Sequence, residues 1–167
     1  MNANHPLGDS ERPTPGQQVI TACAFIHRVA DGEHQVFMAK RSDKKKFLPG
    51  LYELPGGHID FGEDVPAGLR REIQEEFGMN VQLGDPFAVF TYHNEIKGSH
   101  SVEVIYFATF TDPPENLAMN SDDHSTCGWF SEAELPQTFA SEKDIDDDEV
   151  KAIYRGFTLL NGQPVRF

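Results

Sequence analysis

Long apolar runs are missing from this chain. The longest, around residues 19–26 and 104–110, are strand-sized and fall far short of the roughly 20 residues a bilayer-spanning helix needs. No membrane partner is expected. Basic residues are scarce: 14 lysines and arginines stand against 27 aspartates and glutamates, a formal net charge of -13. Nucleic-acid polymers are held by basic surfaces, so the balance argues against them. A small phosphorylated ligand stays open, because bound cations supply local positive charge. There are two cysteines, Cys23 and Cys127, each in an apolar, strand-like run. Residues 1–16 show neither the basic nor the apolar region of a secretory signal, so both are read as reduced core thiols and the cytoplasm is the expected compartment. Neither has the spacing of a zinc site.

What is present is an ordinary globular composition, 38% hydrophobic and 25% charged over 167 residues, which is one domain's worth of chain. The polar, proline-bearing stretch 1–16 reads as a loose leader, and 17–167 as a single domain. From Gln17 a β-branched run, then Asp31 and Gly32, then QVFMAKR read as a hairpin; two more alternating runs flank the turn at Lys97, Gly98 and Ser99. Ser131 and Glu134 fit a capping box, and the acid-led run 144–160 reads as a final helix, with Val150, Ile153, Tyr154 and Phe157 as its apolar face.

The densest information lies in residues 57–79, GHIDFGEDVPAGLRREIQEEFGM. A helix over 64–77 places Leu69, Ile73 and Phe77 on one stripe for docking, and Glu72, Glu75 and Glu76 within roughly 100° of one another on the adjoining face. Gly78 is its left-handed stop, Pro66 is tolerated in its first turn, and Gly68, at a cost of about 1 kcal/mol, reads either as close packing or as a penalty offset elsewhere. Carboxylates crowded on one arc repel, and a hard divalent cation with oxygen ligands offsets that repulsion. A solvated acidic face is the competing account. Arg71, four residues before Glu75, is placed to hold a glutamate.

The run Gly57, Glu63, Arg71, Glu72, Ile73, Glu75, Glu76, Gly78 and Met79 resembles the signature of the Nudix hydrolases at every fixed position. That resemblance implies an α+β Nudix fold, an α/β/α sandwich whose mixed sheet lies between the box helix and a C-terminal helix. It implies a catalytic set of Glu72, Glu75, Glu76 and Arg71, and a metal set of Glu72, Glu75, Glu76 and the Gly57 carbonyl, holding Mg2+ or Mn2+. A homodimer is common in the family, but no interface is readable here.

Substrate-contact candidates lie on both sides of this stretch. The Gly56 backbone can lie close to a ligand. Arg41, at a strand end, is either a solvated edge charge or a guanidinium for phosphate oxygens. Lys44, Lys45 and Lys46 read as solvated loop lysines. Tyr92, beside His93 and Asn94, is placed to read a base or ribose. Glu103 lies among apolar residues, so it either reaches solvent or joins the acidic cluster. The polar loop before Cys127 carries Glu115, Asp122, Asp123 and His124 as titratable candidates; by resemblance some relatives keep a catalytic base on such a loop, and its position here is left open.

The chemistry these residues ask for is metal-assisted hydrolysis of a phosphoanhydride. By resemblance the substrate is a nucleoside diphosphate linked to another group X. The family's marks for ADP-ribose and diadenosine polyphosphate hydrolases fall on Asn94 and on residues 95–97, where neither is found. A nucleoside triphosphate, normal or damaged, is the first expectation, and ADP-ribose or a nucleotide sugar the second. A module that senses a nucleotide without hydrolysing it is the reading from another class.

Overall fold

The computed structural model describes residues 16–139 and 146–163; most of the expected leader and the first residues of the acid-led run 144–160 lie outside them. β1 (Gln18–Ala30) and β2 (Glu33–Arg41) form the expected hairpin. Its two turn residues, Asp31 and Gly32, both have positive φ, 52° and 82°, which matches the twist of the flanking strands. Two short strands follow, β3 (Tyr52–Glu53) and β4 (Gly56–His58), and then helix α1 (Val65–Phe77). β5 (Val81–Asn94) and β6 (Ser99–Phe110) make the second hairpin. β7 (His124–Ser131), a one-turn 3-10 helix with the Ser131–Glu134 capping box, α2 (Leu135–Phe139) and α3 (Asp148–Leu160) complete the chain.

All seven strands belong to one sheet in the order β3-β2-β1-β6-β5, with β4 added to β1 and β7 to β2. It is mixed, because β1 runs parallel to β6 while its other neighbours are antiparallel. β1 changes partner along its length: Thr21, Ala22 and Cys23 face β4, whereas residues 27–30 face β2. The sheet therefore opens around the first half of β1.

Alternation along β1 sorts the core into two layers. Ala22, Ala24 and Ile26 pack with Leu69, Ile73 and Phe77 of α1, the helix stripe expected from its spacing. Cys23 and Phe25 point the other way, onto Val150, Ile153 and Phe157 of α3 and Leu135 and Phe139 of α2. Phe25 is gripped edge-on by Phe87, Phe107 and Phe157, at centroid distances of 5.9, 5.7 and 5.3 Å, and each such pair adds about 0.5–1.5 kcal/mol to the area it buries. Helices on both faces of a mixed sheet give the expected α/β/α sandwich.

α1 ends as its sequence directs. Asp64 accepts a hydrogen bond from the Ala67 N–H at 3.1 Å, and Gly78 closes the helix at φ 64°. A methyl at Gly68 would lie 2.6 Å from Glu63 Oε2 and 2.8 Å from Ile59, so of its two readings close packing holds. The last carbonyls of α1 are taken by the distant loop before β7: Ala118 donates to the Phe77 carbonyl at 2.9 Å and Asn120 to that of Glu76 at 2.7 Å. Orphan acceptors at a helix end are thus satisfied, and Asp123 and His124 are delivered beside Glu76.

Candidate active site

The three box glutamates share a helix face but differ in surroundings. Glu72 and Glu76 are 16% and 12% exposed, and Glu75 is 60% exposed. Glu76 accepts the Gly56 N–H at 3.1 Å. Glu72 lies over Gly57 so closely that a methyl there would meet its Oε2 at 2.6 Å. Gly56, at φ 146°, packs against the β1 backbone, where a methyl would sit 2.2 Å from the Ala22 carbonyl oxygen. The glycine pair therefore lets a strand edge and the box carboxylates meet.

Arg71 organises this face. Its Nε and Nη2 take Glu63 at 3.0 Å each, Nη1 takes Glu72 at 2.8 Å and Glu75 at 3.3 Å, and Nη2 also donates to the His58 carbonyl at 3.1 Å. It thereby joins Glu63, Glu72 and Glu75 through one guanidinium. Burial raises the Glu72 pKa above its ordinary value, with Arg71 opposing and Glu75 and Asp60 adding to the rise. Burial also pushes the Glu76 carboxyl well up, reinforced by the charges of Glu53, Glu72 and Asp123.

A second set of residues meets the first from β2, β3 and β7. Glu53 accepts from Arg41 Nη1 at 2.7 and 2.9 Å and lies 3.0 Å from His124 Nε2. Burial alone would raise the Glu53 pKa; hydrogen bonds from His124 and Arg41 outweigh it and hold the carboxyl below its ordinary value. His124 is 1% exposed, stacks on Phe77 at 5.1 Å, and keeps its Nδ1 buried without a hydrogen-bond partner. Arg41 donates from Nε to the Phe47 carbonyl at 2.9 Å as well. The guanidinium expected either at a solvated edge or on phosphate is thus committed to Glu53 and to the loop.

Two other expectations change with the fold, those for Lys45 and Glu103. Lys45 is not simply solvated: its ammonium contacts Asp123, while Lys44 reaches Asp122 at 3.5 Å on the exposed side. Glu103 does not reach solvent; it is 7% exposed and accepts from the Thr21 hydroxyl at 3.2 Å, because β1 pairs Thr21 directly with it. The Tyr92 ring stacks on Phe47 at 6.1 Å, and its hydroxyl pKa is pushed up by burial first and by the Glu103 charge second. Both cysteines are free thiols.

Glu53 and Glu149 were the residues sequence reasoning passed over. Glu149 accepts the Leu54 N–H at 2.8 Å, tying α3 to the strand edge. The available signal was the one that drew attention to Glu103, a carboxylate set among apolar residues: Glu53 lies between Tyr52 and Leu54, and Glu149 precedes Ile153 by one helical turn. A recess of about 140 Å³ lined by His27, Gln82, Leu83 and Phe107 lies beyond Phe25, at the opposite end of β1 from Thr21, and takes no part in this cluster.

Among the described residues no three histidine, cysteine, aspartate or glutamate side chains converge as a ready-made metal set. The donors nonetheless fit a divalent cation. Glu72 and Glu76 offer hard oxygen donors over the glycine backbone, and burial, reinforced by neighbouring carboxylate charge, raises both pKa values, a penalty that a bound cation would offset. No helix among the described residues is long and apolar enough to cross a membrane.

A family model described as NUDIX domain matches residues 20–152, so the chain belongs to the Nudix family. Among curated proteins, it is 29% identical over 133 residues to the human mitochondrial NAD(P)H pyrophosphatase NUDT13, covering 77% of this chain and 36% of that protein. It is 33% identical over 81 residues to the nucleoside triphosphatase NudI of Salmonella agona, covering 48% of this chain and 54% of that one. The chain thus spans about a third to a half of the length of these relatives. The crystal structure of a MutT NUDIX hydrolase from Burkholderia pseudomallei superposes with a TM-score of 0.65 at 27% identity, covering 83% of this chain and 97% of that one. The NUDIX domain of Shewanella oneidensis NrtR, solved with ADP ribose, shares the fold at a TM-score of 0.65 and 20% identity, covering 86% of this chain and 88% of that one.

Proposed function

We propose that this chain is a metal-dependent pyrophosphohydrolase that cleaves a phosphoanhydride bond in a nucleoside diphosphate linked to a further group X. The observation that carries this reading is the burial of Glu76 where the charges of Glu53 and Glu72 reach it. Glu72, Glu76 and the Gly57 carbonyl would hold Mg2+ or Mn2+, with Glu75 approaching from the exposed side. When bound, such a cation neutralises charge on the diphosphate and acidifies an attacking water.

The chain's own residues do the remaining work. Arg71 fixes the direction of Glu72, and the Gly56 N–H fixes that of Glu76. A carboxylate of the cluster takes the proton as the water oxygen bonds to phosphorus and the bridging P–O bond breaks. A nucleotide and a phosphorylated X leave. Both substrate classes expected from the sequence fit this scheme, and so do the substrates in the names of the relatives, nucleoside triphosphates and NAD(P)H. The two free thiols agree with a reducing, cytoplasmic setting.

The test is release of phosphate or pyrophosphate from nucleoside triphosphates, ADP-ribose, nucleotide sugars and dinucleoside polyphosphates, with Mg2+, with Mn2+ and with chelator. Turnover that needs the metal is expected. A panel inert under every condition overturns the reading.

A further inference from the structure

β5 is the last strand on its side of the sheet, and its two halves are finished differently. In the first half the register against β6 shifts on either side of Pro86, which bends the strand out of line. Asp85 and Pro86 stand exposed there, and Arg155 of α3 donates to the Phe87 carbonyl at 3.0 Å. A bulge, a proline, a charge and a covering side chain are devices that keep an edge from pairing with another strand.

The second half has none of them. Residues 88–94, AVFTYHN, pair with β6 in unbroken register and carry no lysine, arginine, aspartate or glutamate. Valine, phenylalanine, threonine and tyrosine all favour strands. Among the described residues no second strand lies on the side of 88–94 away from β6. Nor does a helix overhang it. Ala22, Ala24 and Ile26 of β1 lie under α1, and the same face continues in two rows, Ile20 to Val102 to Thr91 and Ala22 to Val104 to Val89. In those rows Ile20 is 46% and Val89 65% exposed, and Thr91 is exposed too, so α1 stops short of this part of the sheet. Ala88 and Phe90 pack into the α3 layer, which holds the strand in place while its outer edge stays open.

A long, uncharged edge of strand-forming residues is a template for strand addition. The occupant that fits it is a second copy of this chain. Each copy carries a net charge of -13, so two copies repel over most of their surface, and residues 88–94 let them meet without opposing like charges. Antiparallel pairing of β5 with β5 about a two-fold axis matches uncharged residues with uncharged ones by construction and closes the edge. It also brings Val89 and Thr91 of both copies onto one face as cross-strand neighbours.

We propose that residues 88–94 of β5 pair with the same residues of a second copy, making a dimer whose sheet runs through both. This pairing does not depend on the hydrolase reading, and no turnover is read in its test.

The experiment is sedimentation velocity on the full chain over a concentration series, with wild type, Val89→Lys, Thr91→Lys and, in the protected half of the strand, Gln82→Lys. All three positions are exposed, and circular dichroism checks that each variant is folded. Wild type should form a dimer as concentration rises, and added salt should strengthen it by screening the charge on each copy. Val89→Lys and Thr91→Lys should each raise the dimer dissociation constant about tenfold or more, and Gln82→Lys should leave it within about twofold. Amide hydrogen exchange in a peptide spanning 88–94 should slow as the dimer forms. A wild type that stays monomeric throughout overturns the proposal and leaves the edge to a strand of another protein. A dimer untouched by both Val89→Lys and Thr91→Lys, or one that forms with exchange at 88–94 unchanged, overturns it as well, because the copies then meet elsewhere.

Discussion

Glu53 and Glu76 flank the ring of His124, whose Nε2 lies 3.0 Å from the first carboxylate and 4.0 Å from the second. One ring nitrogen thus stands beside two buried acids whose charges reach each other. Replacing the histidine with alanine leaves Glu53 with Arg41 alone and opens a void against Phe77. His124→Ala should lose about 2–4 kcal/mol of stability, measured by urea unfolding. His124→Gln, which keeps an N–H donor, should recover part of the loss. An alanine variant as stable as wild type would show that the ring is not needed to hold these carboxylates.

Glu76→Gln tests the crowding directly. The folded chain raises the pKa of Glu76 above its ordinary value of 4.5, so the native state binds this proton more tightly than the unfolded chain does. In metal-free buffer its contribution therefore favours the fold at low pH and declines as pH rises from about 4.5 through the folded pKa. The glutamine variant should match wild type below pH 4.5 and melt progressively higher than it as pH rises to 8. Saturating Mg2+ should raise the melting temperature of wild type and leave that of the variant nearly unmoved.

At Gly57 an added methyl meets the Glu72 carboxylate at 2.6 Å. Gly57 is not among the glycines with positive φ, so the backbone tolerates alanine and only the side chain must move. Gly57→Ala should keep the circular dichroism spectrum, weaken Mn2+ binding in a calorimetric titration, and lower turnover by about 100-fold. Unchanged metal affinity would separate Glu72 from the metal site.

Gly156→Ala provides a contrast in the other core layer. Its methyl would sit 2.6 Å from a Phe25 ring that Phe87, Phe107 and Phe157 already hold in place. The expected cost is about 1–3 kcal/mol, read by denaturant midpoint. Metal affinity of the folded fraction should be unchanged, since the strain falls on the α3 side of the sheet.

Much of the helix was legible because its determinants are local. The Leu69, Ile73 and Phe77 stripe, the Asp64 side of its start and the Gly78 stop all lie within a few residues of what they control. The β-branched, apolar run from Gln17 likewise marked β1 as a strand, and it is the strand buried on both faces. The rest of the site comes from strand adjacency, which no local spacing encodes. Glu53 meets Arg41 and His124 because β2 pairs with β3 on one edge and β7 on the other, setting Ala39 opposite Glu53 and Arg41 opposite His124. Lys45 reads as a solvated lysine until a loop nearly eighty residues on, 78 from it, brings Asp123 alongside. Alternation in β6 identified Glu103 as out of place; only the pairing with Thr21 decided that it stays buried.

The parallel union of β1 and β6 also governs when this site comes into being. Thr21 and Glu103 are 82 residues apart in the chain, and closing so long a loop costs about 4 kcal/mol of chain entropy before any contact repays it. Parallel, long-range pairing of this kind is slow to nucleate. Refolding should therefore pass through a stage in which α1 has formed but the strands beneath Gly56 have not closed, and the capacity to bind metal should return later than helical signal in a stopped-flow trace.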